Sequence, residues 1–121
     1  MRPDFQVLIY PVISFSDKIT HQGSRQHLIG PKLDPQLVTH FSNELHVTAN
    51  TPPAFIAHAG DDKAVPVENA LVYYQALNDH NVASQLVVLP DGGHGFGLRN
   101  PYNWFNDLIE WMGNAQLLSQ N

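Results

Sequence analysis

Three apolar runs, separated by segments of helical pattern, constrain the fold of this chain more than any other feature. The runs are FQVLIYPVI (residues 5–13), AFIAHA (54–59) and QLVVL (85–89). They lack the alternation of a strand with one wet face, which is typical of parallel strands that are covered on both faces. The sequence therefore predicts three buried parallel strands.

Helical segments fall between and after these runs. Asp34-Pro35 resembles a helix start with proline at the first position, Pro66 opens a second segment, and Asn100-Pro101 opens a third. Strand and helix thus alternate, which predicts an α/β fold with about three parallel strands and interleaved helices. The residues expected to face the core are Leu37, Val38 and Phe41, then Val67, Ala70, Leu71, Tyr74 and Leu77, and finally Phe105, Leu108, Ile109 and Met112.

Residues 14–33 show no apolar period and contain Gly23, Gly30 and Pro31. We interpret this stretch as a long loop, and loops of that length in compact domains tend to be functional or to act as lids. The 121 residues are enough for one domain at most.

Composition argues against several classes of partner. A net charge of −5 gives no basic footprint for nucleic acid or an anionic membrane, and no apolar run approaches the ~20 residues of a membrane span. Cysteine is absent, and the seven histidines include no HExxH or comparable ligand spacing. We therefore expect neither a metal nor another cofactor.

Two polar clusters follow the second and third strands. They are HAGDDKAVP (58–66) and DGGHGFG (91–97). Because neighbouring parallel strands end at the same edge of a sheet, an acid in the first cluster can reach His94 in the second. A carboxylate that accepts the Nδ1–H of histidine leaves Nε2 free to take a proton from a nucleophile. The order of acid before base is also that of α/β-hydrolases.

Residues 2–112 resemble the C-terminal half of the α/β-hydrolase fold in the dienelactone-hydrolase and prolyl-oligopeptidase-like group. The nearest similarity is to bacterial acetyl-xylan and feruloyl esterases. It is carried by LIYPVIS (8–14), TPPAFIAHAGDDKAVPVENAL (51–71) and GGHGFGL (92–98). The resemblance implies that Asp62, which stands before x-x-V-P, is the acid of a Ser-His-Asp triad, and that His94 in G-G-H-G-F is its base.

The nucleophile of that triad is missing from the sequence. The family carries it in a G-x-S-x-G elbow, and no serine here has glycines at positions −2 and +2. We therefore expect residues 1–121 to form a single partial domain, without the half that bears the nucleophile and without activity alone. Loss of that half would expose strand 5–13 and favour homo-oligomers or aggregation. The serines are Ser14, Ser16, Ser24, Ser42, Ser84 and Ser119.

The resulting expectation is a fragment of a carboxylic-ester hydrolase whose full-length form acts on short acyl esters of polysaccharides. A peptidase of the prolyl-oligopeptidase type, or a non-catalytic binding module with the same fold, remains an alternative. The compartment stays open between a secreted or periplasmic and a cytoplasmic location. We interpret Asp61 as a turn or capping residue, His58 as a strand-end residue oriented by its neighbours, and Trp104 and Trp111 as packing or interface residues.

Overall fold

The computed structural model describes residues 2–115, which form one three-stranded parallel sheet with helices between the strands. The strand order is β1-β2-β3. This arrangement confirms the predicted α/β class and the parallel sheet. In chain order the elements are β1 (Gln6–Ile9), α1 (Gln22–Ile29), α2 (Pro35–Phe41), a 3-10 turn (Asn43–His46), β2 (Ala54–Ala59), α3 (Glu68–Asp79), β3 (Ser84–Leu89) and α4 (Trp104–Asn114).

The central strand β2 is buried on both faces, as its unbroken apolar sequence predicts. Because successive side chains point to opposite faces, Ile56 packs with the core on the α3 side, whereas Phe55 packs with the core on the α4 side. Leu77 anchors the first of these layers and Trp111 the second. Among residues 2–115, no helix is both long and apolar enough to cross a membrane.

Strand β1 ends at Ile9, four residues earlier than the predicted run 5–13. Tyr10 adopts the left-handed region with φ of +40°, which an extended strand cannot continue, although its amide still donates to the Ala57 carbonyl at 2.8 Å. The chain then leaves the sheet. Ile13 and Ser14 both donate their amide hydrogens to Asn69 Oδ1, at 3.0 Å each, so the rest of the run is fastened to α3 by polar contacts.

The prediction of a loop over residues 14–33 is wrong, because α1 occupies its second half. His21 caps this helix by accepting the Ser24 amide hydrogen at its Nδ1. Its one buried residue is Arg25, which donates to the Phe15 carbonyl at 3.2 Å and pairs with Asp17. A helix held by a buried guanidinium instead of an apolar stripe has no hydrophobic period to recognise.

Helix α4 begins at Trp104, later than predicted, and presents a different face to the sheet. Trp104, Leu108 and Trp111 are buried, whereas Phe105 and Ile109 are 42% and 43% exposed. The two indoles fill the α4 layer, and Trp104 Nε1 also donates to the Gly97 carbonyl at 2.8 Å. The predicted face was wrong for Phe105 and Ile109, and the packing role proposed for both tryptophans is confirmed.

The faces of α2 and α3 also differ in part from the predicted ones. In α3 Ala70 and Leu77 are buried as predicted, but Tyr73 is buried and Leu71 is exposed. Helix α2 begins at Pro35 after Asp34, which caps it as predicted, yet it buries none of its residues fully. Its apolar face is therefore only partly covered.

Candidate active site

The loops that follow β2 and β3 meet at the carboxyl edge of the sheet. His94 Nδ1 lies 2.8 Å from Asp62 Oδ2, a hydrogen bond between residues 32 positions apart. This geometry confirms the expectation that the acid and the imidazole lie on the same edge within hydrogen-bonding distance. The parallel register of β2 and β3 places both loops there.

The Asp62 carboxylate is fully enclosed and held at both oxygens. Its Oδ1 accepts the amide hydrogens of Ala64 and Val65, at 2.9 Å each, while Oδ2 accepts from His94. Burial alone raises the pKa of Asp62. The hydrogen bonds from Val65, His94 and Ala64, with the attraction of His94, outweigh burial and hold that pKa below its usual value. The carboxyl group is therefore an anion fixed in one orientation.

His58 lies beneath this carboxylate. It is fully buried at the end of β2, and its Nε2 is 2.9 Å from the Val65 carbonyl oxygen and 3.2 Å from Asp62 Oδ2. A carbonyl oxygen can only accept, so Nε2 carries the hydrogen in this arrangement. The interpretation of His58 as a strand-end residue oriented by its neighbours is confirmed. That Asp62 is one of those neighbours could not be foreseen from the sequence.

The hydrogen bond to Asp62 determines the tautomer of His94. An ionised carboxylate only accepts, so Nδ1 of His94 is the donor and Nε2 of the neutral ring keeps its lone pair. The His94 side chain is 40% exposed, whereas that of Asp62 is wholly covered. The pair therefore presents a basic nitrogen toward the surface, with its charge-stabilising partner behind it. Such a pair can act as a general base and then as a general acid.

The backbone before His94 is shaped by two glycines and by Asp61. Gly92 and Gly93 have φ of +130° and +61°, and a Cβ on Gly92 would lie 2.3 Å from Asn100 Nδ2. Asp61 Oδ1 accepts the amide hydrogen of Gly93 at 2.8 Å. Asp61 is therefore a capping residue, as interpreted from the sequence, but it caps the neighbouring loop. Two consecutive residues of the first loop, Asp61 and Asp62, therefore bond to two consecutive residues of the second, Gly93 and His94.

The serine hydroxyls with defined contacts are engaged elsewhere. Ser42 Oγ donates to the Val38 carbonyl at 2.7 Å, Ser14 Oγ accepts the Ser16 amide hydrogen, and Ser24 Oγ bonds His21. Ser119 lies outside the described residues. Within residues 2–115, no group of three or more histidine, cysteine, aspartate or glutamate side chains is arranged to hold a metal ion. At this edge, the part of the chain that is described thus pairs a buried carboxylate with a partly exposed imidazole.

Two curated relatives of this chain are an esterase and a xylanase. It is 36% identical over 118 residues to an acetylxylan esterase from Xylanibacter ruminicola, covering 94% of this chain and 25% of that protein. It is 38% identical over 99 residues to endo-1,4-beta-xylanase B from Butyrivibrio fibrisolvens, covering 82% of this chain and 15% of that protein. The chain therefore spans a quarter or less of these relatives.

Solved structures of esterases share its fold. An acetyl ester-xyloside bifunctional hydrolase from Caldicellulosiruptor lactoaceticus superposes with a TM-score of 0.93 at 39% identity, over 98% of this chain and 44% of that one. A carboxylesterase from Lactobacillus plantarum WCFS1 gives 0.77 at 25% identity, over 99% and 47%. The model of the prolyl oligopeptidase family matches residues 9–117. The chain therefore belongs to the prolyl oligopeptidase family and is part of an α/β-hydrolase fold related to acetylxylan esterase, as its motifs predicted.

Proposed function

We propose that this chain supplies the acid and the base of a serine carboxylic-ester hydrolase, with His94 as the proton carrier and Asp62 as the group that orients it. The observation that carries the proposal is the 2.8 Å hydrogen bond from His94 Nδ1 to a buried carboxylate whose other oxygen is fixed by two backbone amides. A single donor–acceptor contact could be incidental. A carboxylate locked at both oxygens and joined to a half-exposed imidazole is the arrangement that such catalysis requires.

The proposed reaction proceeds through an acyl-enzyme. His94 Nε2 takes the proton of a serine hydroxyl as that oxygen attacks the ester carbonyl carbon, and it then gives the proton to the departing alcohol. Water repeats the sequence on the acyl-enzyme and releases the carboxylic acid. Asp62 remains ionised and stabilises the imidazolium that forms between these steps. The serine would come from outside residues 2–115.

Short acyl esters of plant polysaccharides, acetyl esters above all, are the proposed substrates. This choice is supported by two relatives of the chain, an acetylxylan esterase and an acetyl ester-xyloside hydrolase. The match to the prolyl oligopeptidase family favours a second candidate, a peptidase that uses the same acid–base pair. Ester and peptide substrates compared in one assay separate the two candidates.

The test is a chimera in which residues 1–121 replace the matching 44% of the Caldicellulosiruptor lactoaceticus hydrolase. We expect the chimera to release acetate from acetylated xylan and to leave prolyl peptides intact. Asp62→Asn and His94→Ala should each lower kcat by roughly 10³-fold or more. The matched control is Gln75→Ala on the exposed face of α3, which should change nothing. An active chimera that is indifferent to His94→Ala would contradict the proposal.

A further inference from the structure

Tyr10 has a backbone conformation that its residue type disfavours. Among residues 2–115, only Tyr10 and Asn81 adopt positive φ without being glycine, at +40° and +55°. Asparagine tolerates this region because its short side chain can bond locally, but a bulky aromatic residue does not. Pro11 follows Tyr10 and restricts the preceding residue further, toward extended conformations. Strained residues of this kind cluster at functional sites, where the surrounding structure holds them.

The ring of Tyr10 lies against His94. Their ring centroids are 4.9 Å apart with an interplanar angle of 61°, and the Tyr10 ring also meets Phe96 edge to face at 5.1 Å. Phe96 in turn contacts the buried Trp104 of α4 at 5.8 Å. The imidazole is therefore connected through aromatic rings to the core of the α4 layer, in the edge-to-face geometry that such rings prefer.

The end of β1 does not itself require a tyrosine. A glycine at position 10 would adopt φ of +40° without strain and could donate its amide hydrogen to the Ala57 carbonyl in the same way. What glycine cannot provide is the ring beside His94. The residue directly after β1 is therefore of a type that disfavours its own backbone conformation, and its ring lies against the imidazole.

We propose that Tyr10 is a positioning residue for His94. The hydrogen bond to Asp62 holds Nδ1, but it still allows the imidazole plane to tilt, because hydrogen bonds tolerate a range of angles. Contact with the Tyr10 ring at a second place removes that freedom and sets where Nε2 points. The inference deepens the proposed function and rests on it, because an aimed Nε2 matters only if His94 transfers protons.

The first test uses the chimera labelled at histidine and followed by NMR, since the isolated chain is expected to associate at micromolar concentration. Tyr10→Gly should keep the fold, since it relieves the backbone, while the His94 ring C–H resonances lose their ring-current shift and report a more mobile ring. Tyr10→Phe should restore both signals. Asn81→Gly relieves the other positive φ far from the site and should leave His94 unchanged. Identical His94 signals in Tyr10→Gly and in the unsubstituted chimera would overturn the inference.

The second test measures ester hydrolysis by the same variants of the chimera. Tyr10→Gly should lower kcat on p-nitrophenyl acetate about 10- to 100-fold with little change in KM, as expected when a reacting group is misplaced without loss of binding. Tyr10→Phe should recover most of the rate. If the chimera is active, equal values of kcat for the unsubstituted protein, Tyr10→Gly and Tyr10→Phe would refute the positioning role. A mobile His94 in Tyr10→Gly, with a chimera that never hydrolyses esters, would leave the positioning intact and refute the proposed function.

Discussion

Asn69 should contribute more to the stability of this chain than any exposed polar residue. Its side chain is fully buried on α3, where Oδ1 accepts the amide hydrogens of Ile13 and Ser14, and Nδ2 donates to the Ile19 carbonyl at 2.6 Å and the Pro66 carbonyl at 3.0 Å. These bonds join the segment after β1 to the helix that follows the Asp62 loop. They take the place of the strand-to-strand hydrogen bonds that this segment would make if it stayed in the sheet.

The substitution Asn69→Ala removes the acceptor of two buried donors. Ile13 and Ser14 are 4% and 0% exposed, so water cannot easily take over either amide. Each buried group left without a partner costs about 1–3 kcal/mol, which gives about 2–6 kcal/mol for the pair. The Pro66 carbonyl keeps the amide hydrogen of Asn69 itself and adds little to this cost. Because small domains have about 5–15 kcal/mol in total, the variant should lose a large fraction of its stability.

Urea denaturation measures this loss as a shift of the midpoint at constant slope. Gln75→Ala is the matched control, because Gln75 lies on the exposed face of the same helix and bonds only to Asp79. The control should change the free energy of unfolding by less than about 0.5 kcal/mol. Equal midpoints for the two variants would refute the argument that Asn69 is the partner those amides need.

Three further predictions concern the whole chain. The pKa of Asp62 is depressed in the folded state, so its stabilising contribution is present above the unfolded pKa near 3.9 and is lost as the pH falls through the folded pKa. Between pH 5 and pH 3 the urea midpoint should therefore fall more for the parent chain than for Asp62→Asn. An equal fall in the two midpoints would contradict this. The outer edge of β1 has no strand beside it among residues 2–115, and Val7, Phe105 and Ile109 are exposed. We therefore expect light scattering coupled to size-exclusion chromatography to show dimers or aggregates at micromolar concentration. A sharp monomer peak near 13.5 kDa would refute this. The isolated chain should show no saturable hydrolysis of p-nitrophenyl acetate, and saturable turnover abolished by His94→Ala would reveal a nucleophile within it.

The features that could be predicted from the sequence are those set by local pattern. The three strands follow from apolar runs, the start of α2 from Asp34-Pro35, and the meeting of Asp62 with His94 from their positions after parallel strands. Helix α1 could not be predicted in this way, because the residue it buries is Arg25 and its partners are set by the tertiary fold.

Contacts between distant segments account for the other differences. The buried face of α4 was predicted wrongly because two pairs of residues have the same helical spacing. Phe105 and Ile109 form one pair, and Trp104 and Leu108 form the other. Packing against the sheet decides which pair is buried. Asn69 did leave a sequence signal, because it shares a helical face with Tyr73 and Leu77, where a polar residue requires buried partners. Nothing in the sequence indicated the left-handed Tyr10.

The tautomer of His94 tests the central claim most directly. Nitrogen-15 NMR of the chimera, at a pH well above the usual titration range of histidine, distinguishes an imidazole with hydrogen on Nδ1 from one with hydrogen on Nε2. His58, which donates from Nε2 to the Val65 carbonyl, is an internal reference of the second kind. Asp62 should hold His94 in the Nδ1–H form. In Asp62→Asn the side-chain oxygen can keep the Ala64 and Val65 amides, and the amide nitrogen then faces Nδ1 and should reverse the tautomer. Hydrogen on Nε2 of His94 in the unsubstituted chimera would contradict the account, because no base would then face the substrate.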